Sequence, residues 1–215
     1  MREEVIRSIE QTKLVVIVRG VSLADIVPFA KAIYDGGVRN AEVTFDQTGK
    51  CSDEETCEKI RAMRAAVGSD MHIGAGTVLT ERQLELAHAA GAEFIISPDT
   101  NEAVIRRTRS LAMVSIPGAL TPTEIVTADR YGADFVKLFP AGNLGLSYYK
   151  AVKAPLSHIK LLYVGGVTLD SLRELVDGGV LGFGIGGAIA DKKLIEAGRF
   201  DEITALAKQY CDILR

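Results

Sequence analysis

Neither sign of charge dominates these 215 residues: 25 lysines and arginines stand against 28 aspartates and glutamates, a net charge of -3. A chain without a basic field has no electrostatic footprint for nucleic acid, which is not expected as a partner. Cysteine is scarce. Cys51, Cys57 and Cys211 are odd in number and lack metal-ligand spacing, so a reducing compartment explains them better than a disulfide framework does. Histidine is scarcer in effect, because His72, His88 and His158 do not cluster and none is read as catalytic. Long apolar runs are missing, and the charged start (Arg2, Glu3, Glu4, Arg7) carries no signal-peptide core, so a soluble, cytoplasmic protein without a membrane partner is expected. No break in composition divides the chain, and residues 1–215 read as one domain.

What is present is a repeat of short apolar strands and amphipathic helices. A polar leading helix, Glu3 to Gln11, delivers the chain to the apolar strand Leu14 to Val18. Further strands are expected at 41–45, 72–75, 93–97, 112–116, 134–138, 161–164 and 181–185. Helices lie between them, the first starting near Ser22, and most end near a glycine. Eight βα units with no G-x-G-x-x-G after the first strand favour a closed (β/α)8 TIM barrel over an open doubly wound sheet. In such a barrel the residues at the C-terminal strand ends converge on one mouth. Those residues are Arg19, Glu42, Gly74 to Thr77, Pro98, Pro117, Lys137, Phe139, and the pairs Gly165–Gly166 and Gly186–Gly187.

Lys137 sits in the middle of Phe135 to Phe139, too apolar on both sides to be an exposed strand. A buried ammonium loses hydration, its pKa falls, and the nucleophilic amine that a Schiff base needs becomes accessible. The alternatives are a snorkelling stem or a phosphate clamp. Glu42 breaks an apolar, β-branched strand in the same way; it is either a proton shuttle beside Lys137 or the lysine's buried counter-ion. Arg19 is a carboxylate or phosphate fork or a solvated surface residue, and Thr77 a carboxylate ligand or a helix cap. The glycine pairs, each followed by a helix, make an anion site or two tight turns.

Taken together, VVIVRG, GGVRNAEVTF, GAGTVL, GAEFIISP, SIPGALTPTE, DFVKLFPAG, VGGV and GIGG resemble the class I aldolases that act on 2-keto-3-deoxy-6-phosphogluconate and 4-hydroxy-2-oxoglutarate. The resemblance covers nearly the whole chain. It implies a Schiff base at Lys137, acid-base work by Glu42, and a keto-acid end held by Thr77 and the backbone around Pro98 and Pro117. It further implies substrate contact by Arg19 and phosphate on Gly165, Gly166, Gly186 and Gly187. A homotrimer that needs no metal or cofactor is implied too, with pyruvate and a phosphorylated keto-deoxy sugar acid as ligands. Three positions depart from the commoner pattern. Phe45-Asp46-Gln47 stands where many members carry an arginine, Ala188 replaces a serine, and Val164 replaces a threonine, as in the related 2-keto-3-deoxy-6-phosphogalactonate aldolases. Rival readings are a sugar-phosphate isomerase or epimerase, and a non-catalytic barrel that binds sugar-acid phosphates.

Overall fold

The computed structural model describes residues 2–215. Helix α1 (Arg2–Thr12) leads into alternating elements: β1 (Leu14–Val18), α2 (Ile26–Asp35), β2 (Asn40–Thr44), α3 (Asp53–Val67), β3 (His72–Gly76), α4 (Glu81–Ala89), β4 (Phe94–Ile96) and α5 (Glu102–Ser110). Then follow β5 (Val114–Ile116), β6 (Gly118–Ala119), α6 (Pro122–Tyr131), β7 (Val136–Leu138), α7 (Gly145–Lys153), β8 (Leu161–Val164), α8 (Leu169–Asp177), β9 (Phe183–Ile185), α9 (Lys192–Glu196) and α10 (Phe200–Leu214). Helix α2 begins at Ile26, later than expected, because Ser22 and Asp25 form a side-chain hydrogen bond of 2.7 Å in a preceding turn.

All strands are parallel, in the order β5-β4-β3-β2-β1-β9-β8-β7-β6. β5 and β6 are halves of one stave interrupted at Pro117, a residue with no N–H to give to a ladder. Its neighbours bridge the break: Ser97 N donates to Ile116 O at 3.2 Å on one side, and Lys137 N donates to Pro117 O at 2.8 Å on the other. The ring therefore closes as the eight-stave barrel the sequence repeat called for.

Alternation along each strand sorts side chains into two layers. Val16, Val43, Ala75, Ile95, Val136 and Leu138 face the helices. Val15, Phe94, Ile96, Val114, Ile116, Phe135, Leu162 and Val164 fill the barrel, together with Val5, Ile6 and Ile9 of α1. Helix α1 thus lies across the N-terminal end of the barrel as a plug. The interior is narrow, and glycines on two staves make room for large partners. A Cβ on Gly74 would fall 2.3 Å from the Phe94 ring, and one on Gly184 would fall 2.8 Å from Val164 Cγ2. Beneath the same end, Asp134 accepts from Arg2 and from Arg109 (2.9 Å), tying α1 and α5 to the segment before β7.

Candidate active site

Strand alternation decides where Lys137 and Glu42 point. Their neighbours Val136, Leu138, Ala41 and Val43 all belong to the helix-facing layer, so the two charged residues turn inward. Lys137 is 5% exposed and Glu42 1%, and both line one internal cavity with Ile17, Ile116 and Val164. The carboxylate fits because Gly76 lies beneath it: a Cβ there would stand 2.1 Å from Glu42 Oε2.

Burial raises the Glu42 carboxyl above its ordinary range against the pull of the Lys137 and Arg19 cations. Burial also lowers the Lys137 ammonium; Glu42 opposes that shift and Arg19 reinforces it. Both shifts favour a neutral acid beside a neutral amine, which holds the same protons as the ion pair without separated charge. Glu42 Oε2 is buried with no hydrogen-bond partner, so it is available to a ligand. Lys137 Nζ lies 4.8 Å from the centre of the Phe139 ring, and Phe139 is 38% exposed at the mouth.

Above Lys137 opens a pocket of about 410 Å³ reached by Arg19, Val164, Gly165, Gly166, Gly186 and Gly187. Gly165 and Gly166 need their hydrogens as side chains, with φ of 97° and 71°. The other pair differs from expectation. A Cβ on Gly187 would meet nothing within 4 Å, and no helix starts there: α9 begins only at Lys192, after a turn in which Ile189 N and Ala190 N donate to Gly186 O. Gly187 leaves open space and Gly186 abuts Ile17, and neither aims a helix end. Thr168 caps α8 by accepting from Ser171 N, so the helix after Gly165–Gly166 already has a side-chain partner at its start.

On the other side of Arg19 is a second chamber, of about 560 Å³, formed by the segments after β1 and β2 and by α3. Arg19 Nη2 donates to Thr77 Oγ1 at 3.4 Å, and both residues line it. Thr77 is not a helix cap, since Thr80 takes that role by accepting from Gln83 N. It holds a left-handed φ of 56°, an uncommon conformation for a threonine. Gly74 and Gly76, small residues that could have left room for a ligand, make room for Phe94 and Glu42. Pro98 and Pro117 stand at neighbouring stave ends, but the Pro117 carbonyl is committed to Lys137 N and the Pro98 carbonyl packs where a Cβ on Gly118 would go. Sequence reading missed the 46–51 loop and Lys59 on α3. In sequence Lys59 reads as the partner of Glu55, and the packing of α3 sets it in the buried row of Thr56, Cys57, Ile60 and Met63.

The family model described as KDPG and KHG aldolase matches residues 5–206. A 2-dehydro-3-deoxy-phosphogluconate aldolase of Treponema pallidum is 34% identical over 212 residues, covering 98% of this chain and 97% of that protein. A 2-dehydro-3-deoxy-6-phosphogalactonate aldolase of Escherichia coli K12 is 35% identical over 198 residues, 91% of each. The KDPG aldolase of Legionella pneumophila, with pyruvate captured as a covalent carbinolamine, superposes with a TM-score of 0.84 at 25% identity over 94% of this chain and 96% of that one. With matches of this extent around an inward lysine and its buried carboxylate partner, the chain belongs to the KDPG and KHG aldolase family and is a class I, Schiff-base aldolase.

Proposed function

We propose that the substrate is 2-keto-3-deoxy-6-phosphogluconate, 4-hydroxy-2-oxoglutarate or both, cleaved to pyruvate and glyceraldehyde 3-phosphate or glyoxylate, with the 6-phosphogalactonate epimer as the alternative. The observation that carries this reading is the burial of Lys137 and Glu42 in one cavity under an open pocket. Lys137 Nζ attacks the C2 carbonyl, and the carbinolamine loses water to give an iminium as the Glu42 acid donates a proton to the departing hydroxyl and becomes a carboxylate. Glu42, directly or through a water, takes the C4 hydroxyl proton. The C3–C4 bonding pair then moves into the iminium and the aldehyde departs. The resulting enamine is protonated at C3, and water releases pyruvate from the lysine. The iminium is the electron sink, so the steps require no cofactor. Thr77 and Arg19 hold the carboxylate end, Val164 touches the reacting middle of the chain, and the glycine-lined pocket takes the phosphate. We further propose a homotrimer, carried over from the family resemblance, of cytoplasmic one-domain chains spanning residues 1–215, a reading supported by composition.

Borohydride added with pyruvate should fix a stable adduct on Lys137, located by peptide mass. Lys137→Met should give no adduct and lose at least about 10³-fold in kcat, since the covalent route vanishes with the amine. An unmodified Lys137, or a product other than pyruvate in a lactate-dehydrogenase-coupled assay, would sink the reading in favour of an isomerase or a binding barrel.

A further inference from the structure

The chamber beside Arg19 contains a lysine whose burial its nearest partner does not explain. The Lys59 side chain is 9% exposed and lies in the buried row of α3. Its ammonium meets Glu55 Oε1 at 2.7 Å and Cys51 Sγ at 3.3 Å, which uses two of three N–H donors. Glu55 is one helical turn away and 40% exposed. Such a pair forms equally well on the outer face of a helix, where no ammonium has to shed water. Burial opposes the Lys59 charge, but Glu55 and Cys51 more than offset it, and the group is held above its ordinary value as a cation.

Asp46, the other carboxylate of the chamber, is committed elsewhere. It accepts from Thr48 N at 3.0 Å, Thr48 Oγ1 at 2.8 Å, Lys50 N at 2.7 Å and Cys51 N at 2.9 Å, and so shapes the 46–51 loop. Arg19, Lys50, Lys59 and Lys192 therefore outnumber the acidic groups of a chamber that also contains Thr77.

We propose that Lys59 is a specificity-determining residue: its ammonium and the Arg19 guanidinium together hold the carboxylate of the keto acid against Thr77, and Glu55 is the counter-ion of the empty site. This rests on the lyase reading above. In that reading the carboxylate neighbours the carbon that bonds Lys137, so one end of the substrate enters each side of Arg19.

The test compares borohydride trapping on Lys137 with pyruvate and with hydroxyacetone, a methyl ketone without a carboxylate. Lys59→Met keeps the stem and removes the charge. It should raise the half-saturating pyruvate concentration roughly 10- to 100-fold, the range for a lost hydrogen bond to a charged group, and leave hydroxyacetone unchanged. Lys59→Arg should recover most of the loss. Glu55→Gln, which frees the ammonium and does not depend on the behaviour of the methionine variant, should tighten pyruvate a few-fold with hydroxyacetone again unmoved. Equal losses for both ketones would make Lys59 a structural residue, and unchanged pyruvate saturation in Lys59→Met or Glu55→Gln would also overturn the assignment. A wild-type protein that traps hydroxyacetone but not pyruvate defeats the carboxylate site alone, whereas one that traps neither defeats the lyase reading and this inference with it.

Discussion

Arg19 is exposed, yet its charge reaches two buried groups: it helps lower the Lys137 ammonium and works against the rise of the Glu42 carboxyl. The amine must be neutral to attack, so its reactivity climbs with pH up to its own pKa and then levels. Acetylation of Lys137 by trace acetic anhydride, followed by peptide mass without any substrate, should therefore level off below the ordinary lysine value of about 10.4. Arg19→Met removes a neighbouring positive charge, so the ammonium is retained to higher pH and the inflection moves in the alkaline direction. A wild-type inflection at the ordinary value, or an acid shift in the variant, would contradict the electrostatic account. Val164 is the other residue on which a measurable outcome turns, because it lines both the lysine cavity and the glycine-lined pocket. A threonine there can bond one C4 configuration, and valine leaves that configuration unpaired by about 1 to 3 kcal/mol. The wild type should discriminate weakly between epimers or lean toward galactonate, and Val164→Thr should move the kcat/KM ratio toward gluconate. A gluconate-selective wild type whose ratio the substitution leaves unchanged would remove Val164 from the specificity account.

At the level of elements, β3 shows that a strand can serve a site by what it omits. Gly76 touches no substrate in our reading, yet it decides whether Glu42 can lie flat against the barrel wall. Gly76→Ala should leave the fold intact while displacing the carboxylate by about an ångström. That displacement costs roughly 10²-fold in kcat, with Schiff-base trapping by pyruvate retained. Loss of trapping in parallel with turnover would show that the glycine supports the fold rather than Glu42. Much of this level was legible beforehand: α3 and α8 lie between strands as the repeat requires, and Glu42 and Lys137 stand out in strands too apolar for them, although their inward aim is read from the layers of the folded barrel. Two features were not legible. A glycine pair reads the same whether it turns on positive φ, as at 165–166, or opens space, as at Gly187 of the second pair. Lys59 escaped because a Glu–Lys pair at i,i+4 reads as a surface ion pair, and only the packing of α3 against the β2 loop reveals that it is buried.

Across the whole molecule the barrel has two unlike ends. The mouth gathers the loops that carry the chemistry, and the opposite end is stopped by α1, whose Val5, Ile6 and Ile9 touch the inner layer. Ile9 is 1% exposed, so Ile9→Ala should destabilise by about 2 to 5 kcal/mol in chemical denaturation. Because the site lies at the other end, kcat at low temperature should hardly change. A large fall in kcat at full occupancy of the native state would mean that the plug and the mouth are coupled. The plug also imposes an order of events during synthesis. Helix α1 leaves the ribosome before every strand it packs against, and the wall it must seal is built from β1, β4, β5, the segment before β7 and β8, and so is incomplete until Val164 has been made. Until then α1 has an apolar stripe and no finished wall to set it against, so an element made early must wait for partners made much later.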